Sequence, residues 1–311
     1  MDWKYYESEF EYEEIFQDVA WAWVGHKRFA YDLIVNIRPK RIVELGTHRG
    51  TSLFSFAQSA KDNKIDVEIN AVDTWKGEKH AGFYGEEVIN EVKKIKEKYY
   101  GGVNINLLRK TFDEALDDFE DKSIDILHID GLHTYDAIKH DFDTWIDKVA
   151  DDGIVLFHDI KVQEKDFGVY KFWGELKEKY KTIEFSHSFG LGVLFLNKNT
   201  AKQFIDIESK LQRHYLYIHE VIRIGDINKK EQIIQQKNTE LNQKEQIIEQ
   251  KNIELNQKEQ IIQQKIQELN HASKQIEQKN QQVKTMKSSK FWKIRNIYIH
   301  YKNSICRFNF L

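Results

Sequence analysis

Five short apolar runs punctuate the first half of the chain: RIVELG (41–46), VEINAVD (67–73), VNINLL (103–108), IDILHID (124–130) and GIVLFHD (153–159). They are continuous and β-branched, the pattern of strands covered on both faces. Between and after them, residues 50–60, 84–99, 134–149 and 169–180 are amphipathic and of helical length. Strand and helix alternate, which predicts an α/β fold with a doubly wound, mostly parallel sheet. TIEFSHSFGLGVLFLN (182–197) has two strand-like halves around Gly190 and Gly192, so it predicts a hairpin that finishes the sheet antiparallel. The first 35 residues, with Trp21 and Trp23, are expected to form one or two helices over the sheet edge. This assigns residues 1–205 to one globular head with an N-terminal helical cap, and 206–228 to a helical connector.

From residue 229 the period changes. KKEQIIQQKNTELN (229–242), QKEQIIEQKNIELN (243–256) and QKEQIIQQKIQELN (257–270) are near copies, each two heptads long. Ile234, Leu241, Ile248, Leu255, Ile262, Leu269, Ile276 and Val283 recur every seventh residue, the d positions of a coiled coil over 229–285. The a positions are mostly polar (Glu231, Asn238, Glu245, Asn252, Glu259, Ile266, Ser273 and Asn280). Such a seam is weak, and Asn at a favours a two-stranded register. A homodimer is therefore expected, with a solvated single helix as the alternative. A continuous helix from 228 to 285 would reach about 85 Å. The tail, 286–311, changes again: no acid follows Glu277. Phe291, Ile294, Tyr298, Tyr301, Ile305 and Phe308 share one helical face, opposite Lys293, His300 and Arg307. A basic amphipathic helix with aromatic residues fits a membrane interface, or else packs on a partner helix.

Composition narrows the classes. The chain has 311 residues, a formal net charge of −3 and a single cysteine, Cys306. Near-neutral charge gives no argument for nucleic acid. One cysteine rules out an intrachain disulfide framework and a Cys-based zinc cluster. The acidic start, MDWKYYESEFEYEE, carries no apolar leader, and no run of eighteen apolar residues occurs. The expected location is cytoplasmic, with the tail making the protein peripheral on the inner face of a membrane.

The first strand ends in ELGTHRGTS (44–52). A strand–turn–helix of this kind offers backbone N–H groups and a helix N-terminus to a ligand. A dinucleotide fingerprint wants G-x-G-x-x-G; here Gly46 and Gly50 are separated by three residues, and His48 stands where the middle glycine should be. No P-loop occurs either, so the turn suits a ligand without phosphates. Asp73 ends the second strand, where an acid can accept hydrogen bonds from both hydroxyls of a ribose.

These features together resemble the class I S-adenosylmethionine-dependent methyltransferases: the ELGTHRG turn, and the strand ends at Asp73, Asp130 and His158-Asp159. VDTWKGEKHAGFYG and HIDGLHTYDAIKHDFDTW further resemble a bacterial subgroup associated with surface glycans and similar to the macrocin O-methyltransferases, which methylate sugar hydroxyls with Mg²⁺. The resemblance covers roughly residues 20–200. It implies S-adenosylmethionine as cofactor, held by Glu44, Gly46, Thr47, Gly50, Ser52 and Asp73, with Asp113 near the adenine. It also implies a sugar of a glycan or glycolipid as acceptor.

Ligands of doubly wound sheets lie beyond the carboxyl ends of the strands. Asp130, His158 and Asp159 end strands that lie about 4.8 Å apart when adjacent. These side chains can converge on Mg²⁺, Mn²⁺ or a less oxygen-loving metal. The resembled sugar methyltransferases carry an acid at the first of these strand ends and two acids at the second; Asp130 and Asp159 match, and His158 replaces an acid. His133 is the candidate base, with His158 as the other, while Thr134 is expected to cap the next helix and Asp136, His140 and Asp141 to decorate it. The loop 160–168 could close over the acceptor. The expected activity is O-methylation of a sugar hydroxyl. The alternatives are a coiled-coil scaffold with a degenerate head, and a methyltransferase for a small soluble molecule.

Overall fold

A computed structural model of the chain describes residues 2–15, 21–164 and 166–308. The chain divides into two compact units, 1–228 and 229–311. In the first, a 3₁₀ turn at Glu11–Glu14 precedes α1 (Trp21–Val24), α2 (Lys27–Ile37), β1 (Arg41–Leu45), α3 (Thr51–Asp62) and β2 (Glu68–Val72). A small hairpin of β3 (Gly77–Glu78) and β4 (Gly82–Phe83) leads to α4 (Glu86–Tyr99), β5 (Asn104–Leu108), α5 (Phe112–Ala115), β6 (Ile124–Ile129) and α6 (Tyr135–Trp145). Then come β7 (Val149–His158), α7 (Val169–Lys179), β8 (Lys181–Phe185), β9 (Leu191–Phe195), α8 (Lys198–Ile205) and the start of α9 (Glu208–Ser288).

The seven-stranded sheet has the order β5-β2-β1-β6-β7-β9-β8. The β1–β2, β2–β5, β1–β6 and β6–β7 pairs are parallel, whereas β9 is antiparallel to both β7 and β8. The predicted hairpin therefore pairs, but β9 inserts between β7 and β8 instead of extending the edge. The chain steps from β1 outward to β2 and β5, then crosses back to β6 and β7. This makes the carboxyl ends of β1 and β6 a topological switch point, the crevice where such sheets bind ligands.

Continuous apolar strands are explained by cover on both faces. Ile42, Ile69, Ile126 and Ile154 face a core shared with α2, α3 and α8. Val43, Leu127, Ile129, Val155 and Phe157 face the other, shared with α6 and α7 through Phe142, Trp145, Phe172 and Trp173. Each such side chain contributes about 1.5–3 kcal/mol by leaving water. The strand β7 starts four residues earlier than its apolar run; a register shift between Ile124 and Ile126 absorbs Asp151 and Asp152 at an exposed bulge.

The N-terminal segment packs at the end of the sheet closed by β8 and reaches inward over one face to His128 of β6, whose ring centroid lies 4.7 Å from that of Trp23. Phe29 packs on Phe185 with ring centroids 4.5 Å apart, and Trp3 packs on Phe204 at 5.4 Å. Leu211 and Tyr215 at the start of α9 are buried in the same core, and the Tyr215 hydroxyl donates to Asp32 at 2.6 Å. The first part of the expected connector thus packs with the head.

In the second unit, residues 229–288 continue as helix and α10 (Lys290–Phe308) follows. Ser289 marks the break, its hydroxyl accepting the Trp292 N–H at 3.3 Å as a cap would. All eight d positions are exposed, Ile248 by 59% and Leu269 by 69%. On α10, Phe291, Ile294, Tyr298 and Tyr301 are exposed as well; the side chains of Ile305, Cys306, Arg307 and Phe308 lie outside the described residues. Among the described residues, no helix is long and apolar enough to cross a membrane.

Candidate functional site

A cavity of about 390 Å³ opens at the switch point, walled by the turn from Gly46 to Ser52, by Asp130 and His133 after β6, and by His158 and Asp159 at the end of β7. Backbone geometry explains why the turn has its sequence. Gly46 and Gly50 adopt φ of 91° and 86°, and His48 between them adopts 48°. A Cβ at Gly46 would overlap the carbonyl of Asp130, so the close approach of the two loops needs glycine there. Gly50 caps α3, whose N-terminus faces the cavity with Thr51 and Ser52.

The predicted cofactor residues divide into those that face the cavity and those that hold it. Gly46, Thr47, Gly50 and Ser52 line it. The Thr47 hydroxyl is buried there without a protein partner, an atom placed for a ligand. Glu44 is fully buried behind the turn, accepting from Ser52 Oγ and paired with His128 Nδ1 at 3.0 Å. Asp73 accepts the N–H groups of Thr47 and His48 at 2.9 and 2.8 Å on one oxygen, and that of Trp75 at 2.6 Å on the other. Three backbone bonds use most of a carboxylate's acceptor capacity, so Asp73 first of all shapes the turn. Trp75 is buried and donates to the His48 carbonyl at 3.0 Å, again holding the turn. Asp113 is not in the cavity wall: it is exposed on α5 and paired with His140 at 2.8 Å.

Asp130, His133, Asp159 and His158 do converge. His133 Nε2 lies 3.3 Å from Asp130 Oδ1 and 2.8 Å from Asp159 Oδ2. His158 Nδ1 lies 3.5 Å from Asp130 and 3.4 Å from Asp159, while its Nε2 sits 3.1 Å from the Ser188 carbonyl. Asp159 itself is held at φ 62°, in the left-handed region. Burial opposes charge on His133, but hydrogen bonds to Asp130 and Asp159 outweigh it and push its pKa up to about 10. His158 is likewise raised, burial being overcome by the same two carboxylates, and Asp130 is held well below the usual carboxylate range against its own burial. With no cation between the two aspartates, both shifts favour the charged form of the imidazoles.

A ligand-atom trio of Asp130, His133 and Asp159 lies within 4.8 Å, so His133 joins the expected donors. The site suits a cation: carboxylates converge, and the contact of His158 Nε2 with a carbonyl leaves Nδ1 directed at them.

The sequence did not single out Trp23, whose Nε1 donates to Asp130 Oδ2 at 3.0 Å from the far N-terminal segment. Nor did it single out Glu78 and His80 in the β3–β4 hairpin, or Phe167, which stacks on His133 at 4.8 Å. Glu78 and His80 lie in the VDTWKGEKHAGFYG stretch that carries the resemblance, but no role attached to either, and Trp23 and Phe167 lay in stretches read as cap and loop. The loop after β7 does approach the cavity through Val162, Glu164 and Phe167, and Asp166 pairs with Lys79 at 2.6 Å and His80 at 2.7 Å. Phe189 lines the cavity, but His187 turns away to the Gly25 carbonyl at 3.1 Å. Asp141 does not decorate the surface of α6: it is buried, which pushes its pKa up to about 7. Thr134 is the N-cap of α6, accepting from Ala137 at 3.4 Å.

The strand ends from Leu45 to Asp159 fall inside one match to a known family. Residues 43–160 match the family described as a methyltransferase domain. An uncharacterized protein of Sinorhizobium fredii, y4gI, is 46% identical over 187 residues, 60% of this chain. The matched region spans 20% of that relative's own length. Among solved structures, the Podospora anserina methyltransferase PaMTH1 bound to SAH is similar at 17% identity and TM-score 0.44, over 56% of this chain and 78% of that one. The O-methyltransferase TomG of Streptomyces achromogenes, in complex with SAM, is similar at 13% identity and TM-score 0.42, over 61% and 91%.

Proposed function

We propose that the first unit transfers a methyl group from S-adenosylmethionine to a hydroxyl oxygen, and that this hydroxyl belongs to a sugar of a surface glycan or glycolipid. The observation that carries the methyl-transfer reading is the coincidence of the methyltransferase-domain match over 43–160 with the one crevice where the strand ends gather Thr47, Asp130, His133 and Asp159. The sugar acceptor is supported by the VDTWKGEKHAGFYG and HIDGLHTYDAIKHDFDTW stretches and their resemblance to sugar O-methyltransferases.

S-adenosylmethionine supplies an electrophilic methyl on a sulfonium. The chain's own contribution is placement: the Gly46–Gly50 turn fixes one wall, Thr47 offers an unpartnered hydroxyl, and Asp130 and Asp159 stand across the cavity. The hydroxyl proton leaves as the O–CH₃ bond forms and the S–CH₃ bond of the sulfonium breaks, and this cluster of imidazoles and carboxylates is placed to take it. A divalent cation held by Asp130, Asp159 and His158 would lower the hydroxyl pKa and orient neighbouring sugar oxygens. Imidazole among the donors favours Mn²⁺ over Mg²⁺.

The second unit is proposed to pair two copies of the chain. Its eight exposed d positions support this, because a long helix in water gains most of its stability from burying one face. The exposed aromatic face of α10 is proposed to rest on a membrane surface at the inner side of the cell envelope.

The test is transfer of label from methyl-labelled S-adenosylmethionine to lipid-linked oligosaccharides, compared with free sugars and small phenols. Label on a sugar oxygen is the expected result. Label on phenols alone would reject the sugar acceptor, and S-adenosylmethionine binding with no transfer to any hydroxyl would favour the scaffold.

A further inference from the structure

We propose that the roof of the cavity is a second, separate metal site, in which Glu78, His80 and His133 take a divalent first-row transition ion of the zinc class. The three offer ligand atoms within 4.8 Å of one another. Glu78 lies on β3, with His80 two residues on in the hairpin turn, and His133 follows β6, so the site joins two loops that sequence separates by more than fifty residues.

In both rings one nitrogen is already occupied by a carboxylate. His80 Nε2 is held by Asp166 Oδ1 at 2.7 Å, and His133 Nε2 by Asp159 at 2.8 Å. A carboxylate on one ring nitrogen is the usual outer partner of a metal-bound histidine, fixing the ring and leaving the other nitrogen to the metal. Here the other nitrogens, both Nδ1, are buried with no hydrogen-bond partner. The His80 side chain is only 3% exposed. Both Nδ1 atoms face the same carboxylate: His133 Nδ1 is 3.9 Å from Glu78 Oε1, and His80 Nδ1 is 4.0 Å from Glu78 Oε2. That carboxylate is fixed by the turn, accepting the His80 N–H at 2.7 Å and the Ala81 N–H at 2.5 Å, and it retains free lone pairs.

The pairwise gaps are too long for hydrogen bonds. In tetrahedral geometry two donors about 2.1 Å from one ion stand about 3.4 Å apart, so each Glu78 gap closes by about half an ångström when a cation bridges it. With two imidazoles in three donors, the site selects against Mg²⁺ and Ca²⁺, which take oxygen. Because His80 and His133 both line the cavity, the remaining coordination positions open toward an acceptor. The site differs from the Asp130–His158–Asp159 cluster, which faces His133 through the opposite ring nitrogen.

The test needs no methyl-transfer assay. The chelator-stripped full-length chain is titrated with Zn²⁺ by calorimetry, beside His80→Gln, Glu78→Gln and Asp159→Asn, with circular dichroism to confirm folding. The wild type should show a Zn²⁺ event that His80→Gln lacks, that Glu78→Gln weakens at least tenfold, and that Asp159→Asn keeps at reduced affinity, because its carboxylate orients His133. Zinc-edge anomalous diffraction from crystals of the intact chain should put a peak between the two Nδ1 atoms. Equal zinc stoichiometry and affinity in wild type and His80→Gln, or a water without anomalous signal between those atoms, would overturn the proposal.

Discussion

In the first unit the apolar residues of β1 and β6 (Ile42, Val43, Ile126 and Leu127) have no surface left exposed, whereas on α9 the apolar positions Ile248 and Leu255 keep 59% and 56% of theirs. Both regions announce themselves by periodicity. In one, the chain satisfies its own pattern: strands are covered by helices on both faces. In the other, a heptad pattern leaves its apolar stripe exposed. Hydrophobic pattern thus predicts the element in both, but only packing tells where the stabilising partner lies.

The largest effect should come from breaking the stripe. Ile248→Asp, Leu255→Asp and Ile262→Asp together are expected to weaken self-association by about three orders of magnitude or more in sedimentation, each burying a charge where a methyl-rich side chain belonged. The head's own unfolding transition should be unmoved. A wild type that sediments as a monomer at all concentrations would remove the contrast altogether.

Within the head, Asp73→Ala should cost about 3 kcal/mol in urea unfolding, because it strands three backbone N–H groups of the turn. Asp113→Ala, exposed on α5, should stay within about 0.5 kcal/mol. Equal costs at the two sites would mean that the turn is not what Asp73 holds. Smaller again, Trp23→Phe keeps the ring and deletes the donor to Asp130, for about 1 kcal/mol by the same measurement.

The subtlest difference lies in pH. Asp141 has a folded pKa of about 7 because it is buried, while an unfolded aspartate titrates near 3.9. Between those values the folded state binds the proton that the unfolded chain has released, so this group's contribution to stability falls as pH rises from about 4 to 7. Asp141→Asn should flatten the fall of the urea midpoint across that window, leaving the part of the same sign that comes from Asp32, also raised to about 7 by burial. An unchanged slope would show that Asp141 is solvated.

The head's plan was legible because it is written locally. Each strand end that matters, at Gly46, Asp73, Asp130 and Asp159, closes an apolar run, and sheet topology brings such ends together without further information. What remained hidden depends on distance along the chain or on backbone detail. Trp23 reaches Asp130 only because the N-terminal segment crosses a sheet face. Asp73 spends its oxygens on amides whose directions follow from the positive φ of Gly46 and His48. Asp113 pairs with His140 because α5 and α6 are neighbours, which spacing alone does not reveal. His133 reads as a base from residue type, and only the fold shows the two aspartates that favour its charged form. In the helical half the periodicity was plain, and the proposed pairing of two copies depends on a second chain that one sequence does not show.

The central claim is that the crevice beside Thr47 receives S-adenosylmethionine. Isothermal calorimetry of the purified full-length chain tests it most directly. One site per chain with micromolar affinity, competed by S-adenosylhomocysteine, is the expected result. A folded protein that gives no binding of either compound would contradict it.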